Sequence, residues 1–141
     1  MKFFTMGYGG KDPKEFVKIL QENKVKTVAD VRLRPDRSSM GIYTKAKTGD
    51  KGIEALLAQA DIEYRSFVEL GNLFVDLPDW HERYSALVKR AGDLLTERLL
   101  REITEPFCLL CAEKLAENCH RGLISRHLVE KGHTLIAHLG Q

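Results

Sequence analysis

The stretch "EPFCLLCAEKLAENCHRGLISRHLVEKGHTLIAHL", residues 105–139, decides the fold class. Its first part, "EPFCLLCA", is an apolar run with the length of a buried strand. "CHRGLISRHLVEKG" follows with helical spacing, and Gly132 is placed to end the helix. "HTLIAHL" predicts another strand. A strand, a helix and a strand in this order predict a parallel βαβ unit.

The residues before this stretch repeat the alternation. Strands are predicted over residues 2–6, 25–31 and 61–67, and helices over 12–24, 51–60 and 77–103. Asp12 is the predicted cap of the first helix, and Asp79 with Glu82 predicts a capping box on the longest one. We therefore expect a single three-layer α/β domain over residues 1–141. Its mostly parallel, five-stranded, Rossmann-like open sheet is predicted to have the order 3-2-1-4-5.

Length and composition narrow the function classes. The chain of 141 residues has a net charge of +2, which is too small by itself to indicate nucleic-acid binding. No apolar run reaches the roughly 20 residues of a membrane span, and the first residues lack the features of a signal peptide. The three cysteines are clustered, and their odd number predicts reduced thiols. We expect a cytoplasmic protein without a membrane partner, and the oligomeric state stays open.

Ligands of open α/β sheets bind beyond the carboxyl ends of the strands, where the strand order reverses. Strands one and four are expected to flank that point. "GYGG" follows strand one, and the backbone N–H groups of Tyr8, Gly9 and Gly10 are candidate donors to an oxyanion. The alternative is a turn without a ligand, which this motif alone favours because its spacing does not match a dinucleotide fingerprint.

A basic segment follows strand two. Arginine pairs with phosphate through two parallel hydrogen bonds, so the segment is a candidate phosphate site at the end of a central strand. The alternative is a solvated loop in which Asp30 pairs with Arg32. Between residues 32 and 51 the segment has the cations Arg32, Arg34, Arg37, Lys45, Lys47 and Lys51 and the anions Asp36 and Asp50.

The cysteines differ in their predicted roles. Cys108 and Cys111 have C-x-x-C spacing, but three positions apart on a strand they point to opposite faces, so we predict buried core thiols rather than a metal site or disulfide. Cys119 lies at or next to a helix start, where partial positive charge favours thiolates and anions. His120 and Arg121 follow it directly. The alternative is a capped helix with a buried thiol.

Four segments, "TMGYGG", "VADVRLRPDRS", "IEYRSFVELGN" and "LLCAEKLAENCHRGLISRHLVEKGH", together resemble the Domain of Unknown Function 488 family of bacterial and archaeal proteins. The resemblance implies a small cytosolic α/β domain without an agreed biochemical function, for which nucleotide or nucleic-acid processing has been suspected. Asn72 departs from the small residue expected after Gly71, and the loop after Arg37 departs from the family pattern. The matching positions are Gly7, Tyr8, Asp30, Arg32, Pro35, Glu69, Leu70, Gly71, Cys111, Glu113, Cys119, His120 and Arg121.

These motifs together predict an anion-binding cleft for a phosphate-bearing small molecule or nucleic acid, with no metal and no cofactor. Cys119 is the candidate nucleophile, and Glu113 or His120 is the candidate acid or base. The structural alternative pairs Glu113 with Arg32 or Arg121. An enzyme and a non-catalytic phosphate-binding or partner-binding module both stay open. The predicted anion-binding residues are Tyr8, Gly9, Gly10, Arg32, Arg34 and Arg121, and the predicted supporting residues are Asp30, Glu69 and Gly71.

Overall fold

The computed structural model describes residues 1–141 and contains five strands and four α-helices. Strands and helices alternate as predicted, and the predicted α/β fold is confirmed. The strands are β1 (Lys2–Gly7), β2 (Thr27–Asp30), β3 (Glu63–Ser66), β4 (Phe107–Cys111) and β5 (Thr134–Leu139). The helices are α1 (Pro13–Glu22), α2 (Gly52–Ala58), α3 (Trp80–Glu102) and α4 (Arg121–Glu130).

The five strands form one parallel sheet in the order 3-2-4-1-5. The predicted order 3-2-1-4-5 was wrong, because β4 inserts between β1 and β2. All five residues of β4 are buried, so the centre of the sheet is the place where both of its faces are covered. The partly exposed β3 and β5 form the edges.

The helices cover the two faces of the sheet in pairs. Side chains from β1, β2 and β4 pack with α1 and α2 in one core, and the alternate side chains of the same strands pack with α3 and α4 in the other. Cys108 lies in the first core and Cys111 in the second, so the predicted divergence of this C-x-x-C pair is confirmed. The three-layer arrangement follows from this division.

The cap residue predicted for α1 is present, whereas the starts of α3 and α4 differ from the prediction. Asp12 accepts a hydrogen bond from the Glu15 N–H at 2.9 Å and caps α1 as predicted. The predicted capping box of α3 is absent, because the Asp79 carboxylate accepts from Arg83 Nε at 2.9 Å rather than from the backbone. His120 occupies the cap position of α4 without a side-chain cap bond, which places Cys119 one residue before the cap.

The basic segment after β2 is anchored to the protein. Tyr43 is fully buried, stacks on Tyr8 with ring centroids 4.5 Å apart, and packs edge-on against Phe16. Its hydroxyl donates to the Lys11 carbonyl at 2.8 Å. These contacts hold the segment against the carboxyl end of β1 and fix its position beside the ends of the central strands.

The connections from β2 and β4 lead in opposite directions, to β3 on one side and to β5 on the other. Such a reversal leaves a crevice between the carboxyl ends of two neighbouring strands. None of the helices combines the length and the apolar composition that a membrane crossing requires.

Candidate functional site

A buried ion pair lies where β2 ends. Asp30 is fully buried, and Arg32 is 7% exposed. The Asp30 carboxylate accepts hydrogen bonds from Arg32 Nε at 2.9 and 3.0 Å, from Arg32 Nη2 at 2.6 Å, and from the Tyr64 hydroxyl at 2.5 Å. Burial lowers the pKa of Arg32, but the hydrogen bonds and charge of Asp30 outweigh it and raise that pKa overall. Arg32 is therefore charged and held in one orientation.

One end of the Arg32 guanidinium has no partner. Its Nη1 atom is buried and makes no hydrogen bond. Since Nε and Nη2 face Asp30, Nη1 lies on the opposite side of the group. The guanidinium packs over the Tyr8 ring, with Cζ 5.3 Å from the ring centroid. A buried donor without a partner costs about 1–3 kcal/mol, and an anion is the partner that its charge favours.

A cleft of about 280 Å³ opens beside Arg32, between the ends of β2 and β4. This volume lies near the lower end of the roughly 300–1,000 Å³ of small-molecule sites, so the cleft suits a small ligand. A larger hollow of about 670 Å³ lies at the opposite edge of the sheet, where β2 begins, and contains none of the predicted site residues. The cleft is lined by Arg32, Leu33, Asn72, Val75, Trp80, Cys111, Ala112, Glu113, Asn118, Cys119 and His120.

Arg121 is fully buried at the start of α4 and has no carboxylate partner. It donates to the carbonyls of Glu113 at 2.6 Å and Lys114 at 3.1 Å, to Thr5 Oγ1 at 3.2 Å, and to Cys111 Sγ at 2.8 Å. Burial lowers the pKa of Arg121 to about 10, so the group stays charged at neutral pH. Arg121 does not line the cleft. It holds the loop after β4 in place and puts a positive charge beside Cys111.

Cys111 and Cys119 meet sulfur to sulfur, with their Cα atoms 7.5 Å apart. The sequence predicted reduced thiols, and it did not predict that Cys111 and Cys119 come together. A 3-10 turn over Ala116–Asn118 folds the chain back and returns Cys119 to the end of β4, a long-range effect that cysteine spacing does not reveal. Cys108 has no sulfur partner, and burial raises its pKa to about 12.

His120 lies beside Cys119 and is 7% exposed. Its Nε2 is 2.8 Å from the Val31 carbonyl oxygen, and because a carbonyl only accepts, this bond assigns the proton to Nε2. Nδ1 is then an acceptor, and it lies 3.6 Å from Cys119 Sγ. Burial lowers the pKa of His120 to about 4, so the ring is neutral at pH 7 and Nδ1 can accept a hydrogen bond from the Cys119 thiol.

In the turn after β1, the Tyr8 side chain reaches the site, whereas the backbone N–H groups of Tyr8 and Gly9 do not. The Tyr8 N–H donates to the Cys111 carbonyl at 3.0 Å, and the Gly9 N–H donates to the Ala112 carbonyl at 2.9 Å. These two donors extend the β1–β4 pairing and do not face the cleft. Gly10 is exposed at a φ of +75°, and Tyr8 reaches the site through its ring.

Several predicted residues lie outside the cleft or at its rim. Arg34 is exposed and does not line the cleft. Glu69 is also exposed and accepts from Arg98 at 2.7 and 2.8 Å, which lowers the pKa of Glu69. Glu113 is exposed and lines the cleft, and its carbonyl, not its carboxylate, accepts from Arg121. Gly71 approaches Leu33 so closely that an added Cβ would lie 2.5 Å from the Leu33 Cα, so it shapes the cleft wall.

Sequence reasoning missed two polar residues of this region. Tyr64 completes the partners of Asp30, and its signal was a tyrosine on a strand predicted next to β2. Lys11 is 4% exposed and donates to the Gly7 carbonyl at 2.9 Å, and burial lowers its pKa. A lysine directly after a glycine turn gives no sign of burial, so the sequence contained no signal for it.

The buried charged side chains at this edge are mostly cations. Of the buried charged side chains at this edge, three are cations, Lys11, Arg32 and Arg121, and one is a carboxylate, that of Asp30. An anionic ligand or a thiolate at this edge reduces the excess of positive charge. No cluster of three or more His, Cys, Asp or Glu side chains has an arrangement suited to a metal ion. The arrangement can hold an anion beside two sulfurs and a neutral imidazole.

The chain belongs to the family described as Domain of unknown function DUF488, whose model matches residues 12–128. The match spans Asp30, Arg32, Cys111, Cys119 and Arg121, so the cleft lies within the family domain. Comparison with curated proteins and with solved structures gives no match.

Proposed function

We propose that the protein binds a phosphate-bearing small molecule in the cleft beside Arg32, and that Cys119 acts on the bound molecule as a nucleophile. The observation that carries the proposal is the Nη1 atom of Arg32, which is buried and has no hydrogen-bond partner beside a cleft that contains a thiol. The proposed reaction needs Cys119 as a free thiol, which a cytoplasmic, reducing compartment provides.

Two donors support binding of the phosphate group. Asp30 and Tyr8 hold the Arg32 guanidinium in place before any ligand arrives, which reduces the ordering cost of binding. Asn72 is 6% exposed and lines the same cleft. Its Oδ1 accepts from the Phe74 N–H at 3.0 Å, which leaves the Nδ2 donor for a ligand oxygen. One charged and one neutral donor suit a phosphate oxygen.

The chemical step uses Cys119 and His120. The neutral His120 ring presents Nδ1 to Cys119 Sγ at 3.6 Å as an acceptor for the thiol hydrogen. Cys119 Sγ attacks an electrophilic centre of the bound molecule while its proton passes by way of Nδ1 to the leaving group. The Arg121 N–H, 3.4 Å from Cys119 Sγ, favours the thiolate.

A second candidate is a binding module for a longer phosphate chain, such as a nucleic acid. The anchored segment after β2 has four exposed cations that take part in none of the protein's ion pairs, namely Arg34, Arg37, Lys47 and Lys51. Phosphate contacts by such side chains give affinity without requiring a reaction. A third possibility is that Arg32 is structural, in which case its replacement weakens folding and there is no anion binding to lose.

Calorimetric titration with inorganic phosphate and a nucleoside monophosphate tests the proposal. Arg32→Lys keeps a cation opposite Asp30 but removes the free donor, so we expect the phosphate affinity to fall about 10-fold or more. Arg34→Lys is the matched control, because this exposed arginine lies outside the cleft, and it should bind like the parent protein. Equal affinities of the two variants would contradict the proposal.

Cys119→Ala separates the enzyme from the binding module. If the protein is an enzyme, this variant keeps its phosphate affinity and loses turnover of the bound molecule. If the protein is a binding module, Cys119→Ala changes neither property. Tight binding of a short oligonucleotide that falls in Arg34→Ala and Arg37→Ala, while phosphate binding is retained, would favour the nucleic-acid candidate.

A further inference from the structure

We infer that Cys111 and Cys119 form a two-thiol redox centre that reduces a small hydroperoxide and closes an intramolecular disulfide. The inference rests on the sulfur pair and its neighbours, Arg121 and His120. It does not depend on phosphate binding, so it stands or falls separately from the function proposed above.

Arg121 defines the role of Cys111. The guanidinium is fully buried, has no carboxylate partner, and donates from Nη1 to Cys111 Sγ at 2.8 Å. A buried charge without a counterion is costly. A thiolate on Cys111 supplies the missing counterion, and a neighbouring arginine in turn stabilises the thiolate, which is the nucleophilic form of cysteine.

His120 defines the role of Cys119. Cys119 Sγ touches Cys111 Sγ on one side and lies 3.6 Å from His120 Nδ1 on the other. Because the proton of His120 is on Nε2, Nδ1 is free to accept a hydrogen bond from the Cys119 thiol. Cys119 is therefore the second thiol, which attacks after Cys111 has been oxidised.

Because the two sulfurs are almost fully buried, only a small oxidant can reach them. Cys111 and Cys119 are 3% and 6% exposed, and both line the cleft of about 280 Å³. A molecule of the size of hydrogen peroxide can enter this cleft, whereas the disulfide of a folded protein cannot reach its floor. Redox-active cysteines commonly combine a stabilised thiolate with a second cysteine beside it.

The reaction balances with one hydroperoxide and two thiols. The Cys111 thiolate attacks the terminal peroxide oxygen, the O–O bond breaks, and the leaving alkoxide or hydroxide takes up a proton from water, so that Cys111 becomes a sulfenic acid. Cys119 then attacks the Cys111 sulfur while its proton passes by way of His120 Nδ1 to the departing oxygen. The S–O bond breaks, the departing hydroxide takes the proton and leaves as water, and the S–S bond forms. The two sulfurs lose two electrons, and the peroxide gains them.

The backbone must move when the disulfide closes. The Cα atoms of Cys111 and Cys119 are 7.5 Å apart, whereas bridged cysteines usually have Cα atoms about 4.4–6.8 Å apart. Closure therefore requires the Cα atoms of the two residues to approach each other. Oxidation also removes the Cys119 thiol, so the oxidised protein lacks the proposed nucleophile.

The test uses the reduced full chain with Cys108→Ala, so that two thiols remain. One equivalent of hydrogen peroxide is added, samples are denatured and alkylated at timed intervals, and their masses are measured. We expect both thiols to disappear together and a disulfide-linked peptide pair that contains Cys111 and Cys119. The rate should exceed that of free cysteine by about 10-fold, because only a few per cent of a free thiol is ionised at neutral pH.

Two isosteric variants distinguish the roles. Cys119→Ser should react as fast and stop at a sulfenic acid on Cys111 that dimedone traps, while Cys111→Ser should react no faster than free cysteine. Reaction of the parent at the rate of free cysteine, or fast oxidation of Cys119 in Cys111→Ser, would overturn the inference. Phosphate titration of the same reduced protein, with and without Arg32→Lys, reports the anion site independently.

Discussion

At the scale of the residue, His120 connects the structure to the acid stability of the protein. Its Nε2 proton is bonded to the Val31 carbonyl, and the ring packs edge-on against Tyr84 with centroids 5.1 Å apart. Burial, together with the charge of Arg121, lowers the pKa of His120 from 6.5 to about 4. The neutral ring is therefore part of the folded structure, and protonation works against folding.

We predict that the free energy of unfolding falls as the pH is lowered from about 6.5 to 4. In this range the unfolded chain binds a proton at residue 120 that the folded protein excludes, so stability decreases with acidity. The full effect is about 3 kcal/mol, at roughly 1.4 kcal/mol for each unit of pKa difference. Urea titrations at several pH values measure it.

His120→Gln is the comparison for this prediction. Glutamine can still donate to the Val31 carbonyl but does not titrate, so its stability should depend less on pH over the same range. The lowered pKa values of His133 and His138 act in the same direction in both proteins and cancel in the comparison. Parallel pH profiles for the parent and the variant would show that His120 is not the group responsible.

At the scale of the element, the packing of α4 on α3 sets the position of the site. Gly92 of α3 lies directly under the His127 ring of α4, and a Cβ added to Gly92 would be 2.5 Å from His127 Cε1. The same helix begins with Arg121, whose hydrogen bonds hold the loop after β4. A displacement of α4 therefore moves the guanidinium away from Cys111.

We predict that Gly92→Ala destabilises the protein, although alanine is normally better than glycine inside a helix by about 1 kcal/mol. The clash with His127 should cost roughly 1–3 kcal/mol, as overpacking of a core does. Guanidinium chloride titration measures the change. The reactivity of Cys111 toward peroxide should fall as well, because the contact with Arg121 is disturbed.

A double-mutant cycle with His127→Ala isolates this contact. Without the imidazole ring above it, alanine at position 92 should become neutral or stabilising relative to glycine. An equal loss of stability from Gly92→Ala in both backgrounds would mean that the helix interface does not depend on this pair. The alkylation rate of Cys119 in each variant shows how far the change reaches the cleft.

At the scale of the whole molecule, the sheet order creates the site. Because β4 lies between β2 and β1, the ends of β2 and β4 are neighbours, and the Asp30–Arg32 pair comes next to the two sulfurs. Three buried cations and one buried carboxylate leave this edge with an excess of positive charge. The net charge of the chain, +2, does not reveal this local excess.

Much of the fold followed from local patterns, and the strand order did not. Apolar runs and cap residues such as Asp12 predicted the alternating strands and helices, because these signals are local. The position of β4 depends on burial of both its faces in the assembled sheet, which a single strand cannot indicate. The Cys111–Cys119 contact depends on the return of a loop to the sheet, and the burial of Lys11 depends on distant segments.

The site residues also divide into those that local sequence predicted and those that required the assembled structure. Arg32, Cys119 and His120 were found because each directly follows a predicted strand or precedes a predicted helix, where ligand groups concentrate. The free donor of Asn72 and the side-chain partner Tyr64 come from other segments and required the assembled structure. Arg34 and Glu69 match site chemistry by residue type, but the structure places them away from the cleft.

The most direct test of the central claim, that one cleft holds both the anion and the thiol, is the alkylation rate of Cys119 with and without phosphate. Cys108→Ala and Cys111→Ser leave Cys119 as the single reporter, in proteins that have either arginine or lysine at position 32. We predict that saturating phosphate slows alkylation severalfold in the Arg32 protein and has little effect in Arg32→Lys. An alkylation rate that phosphate leaves unchanged in the Arg32 protein would contradict the claim.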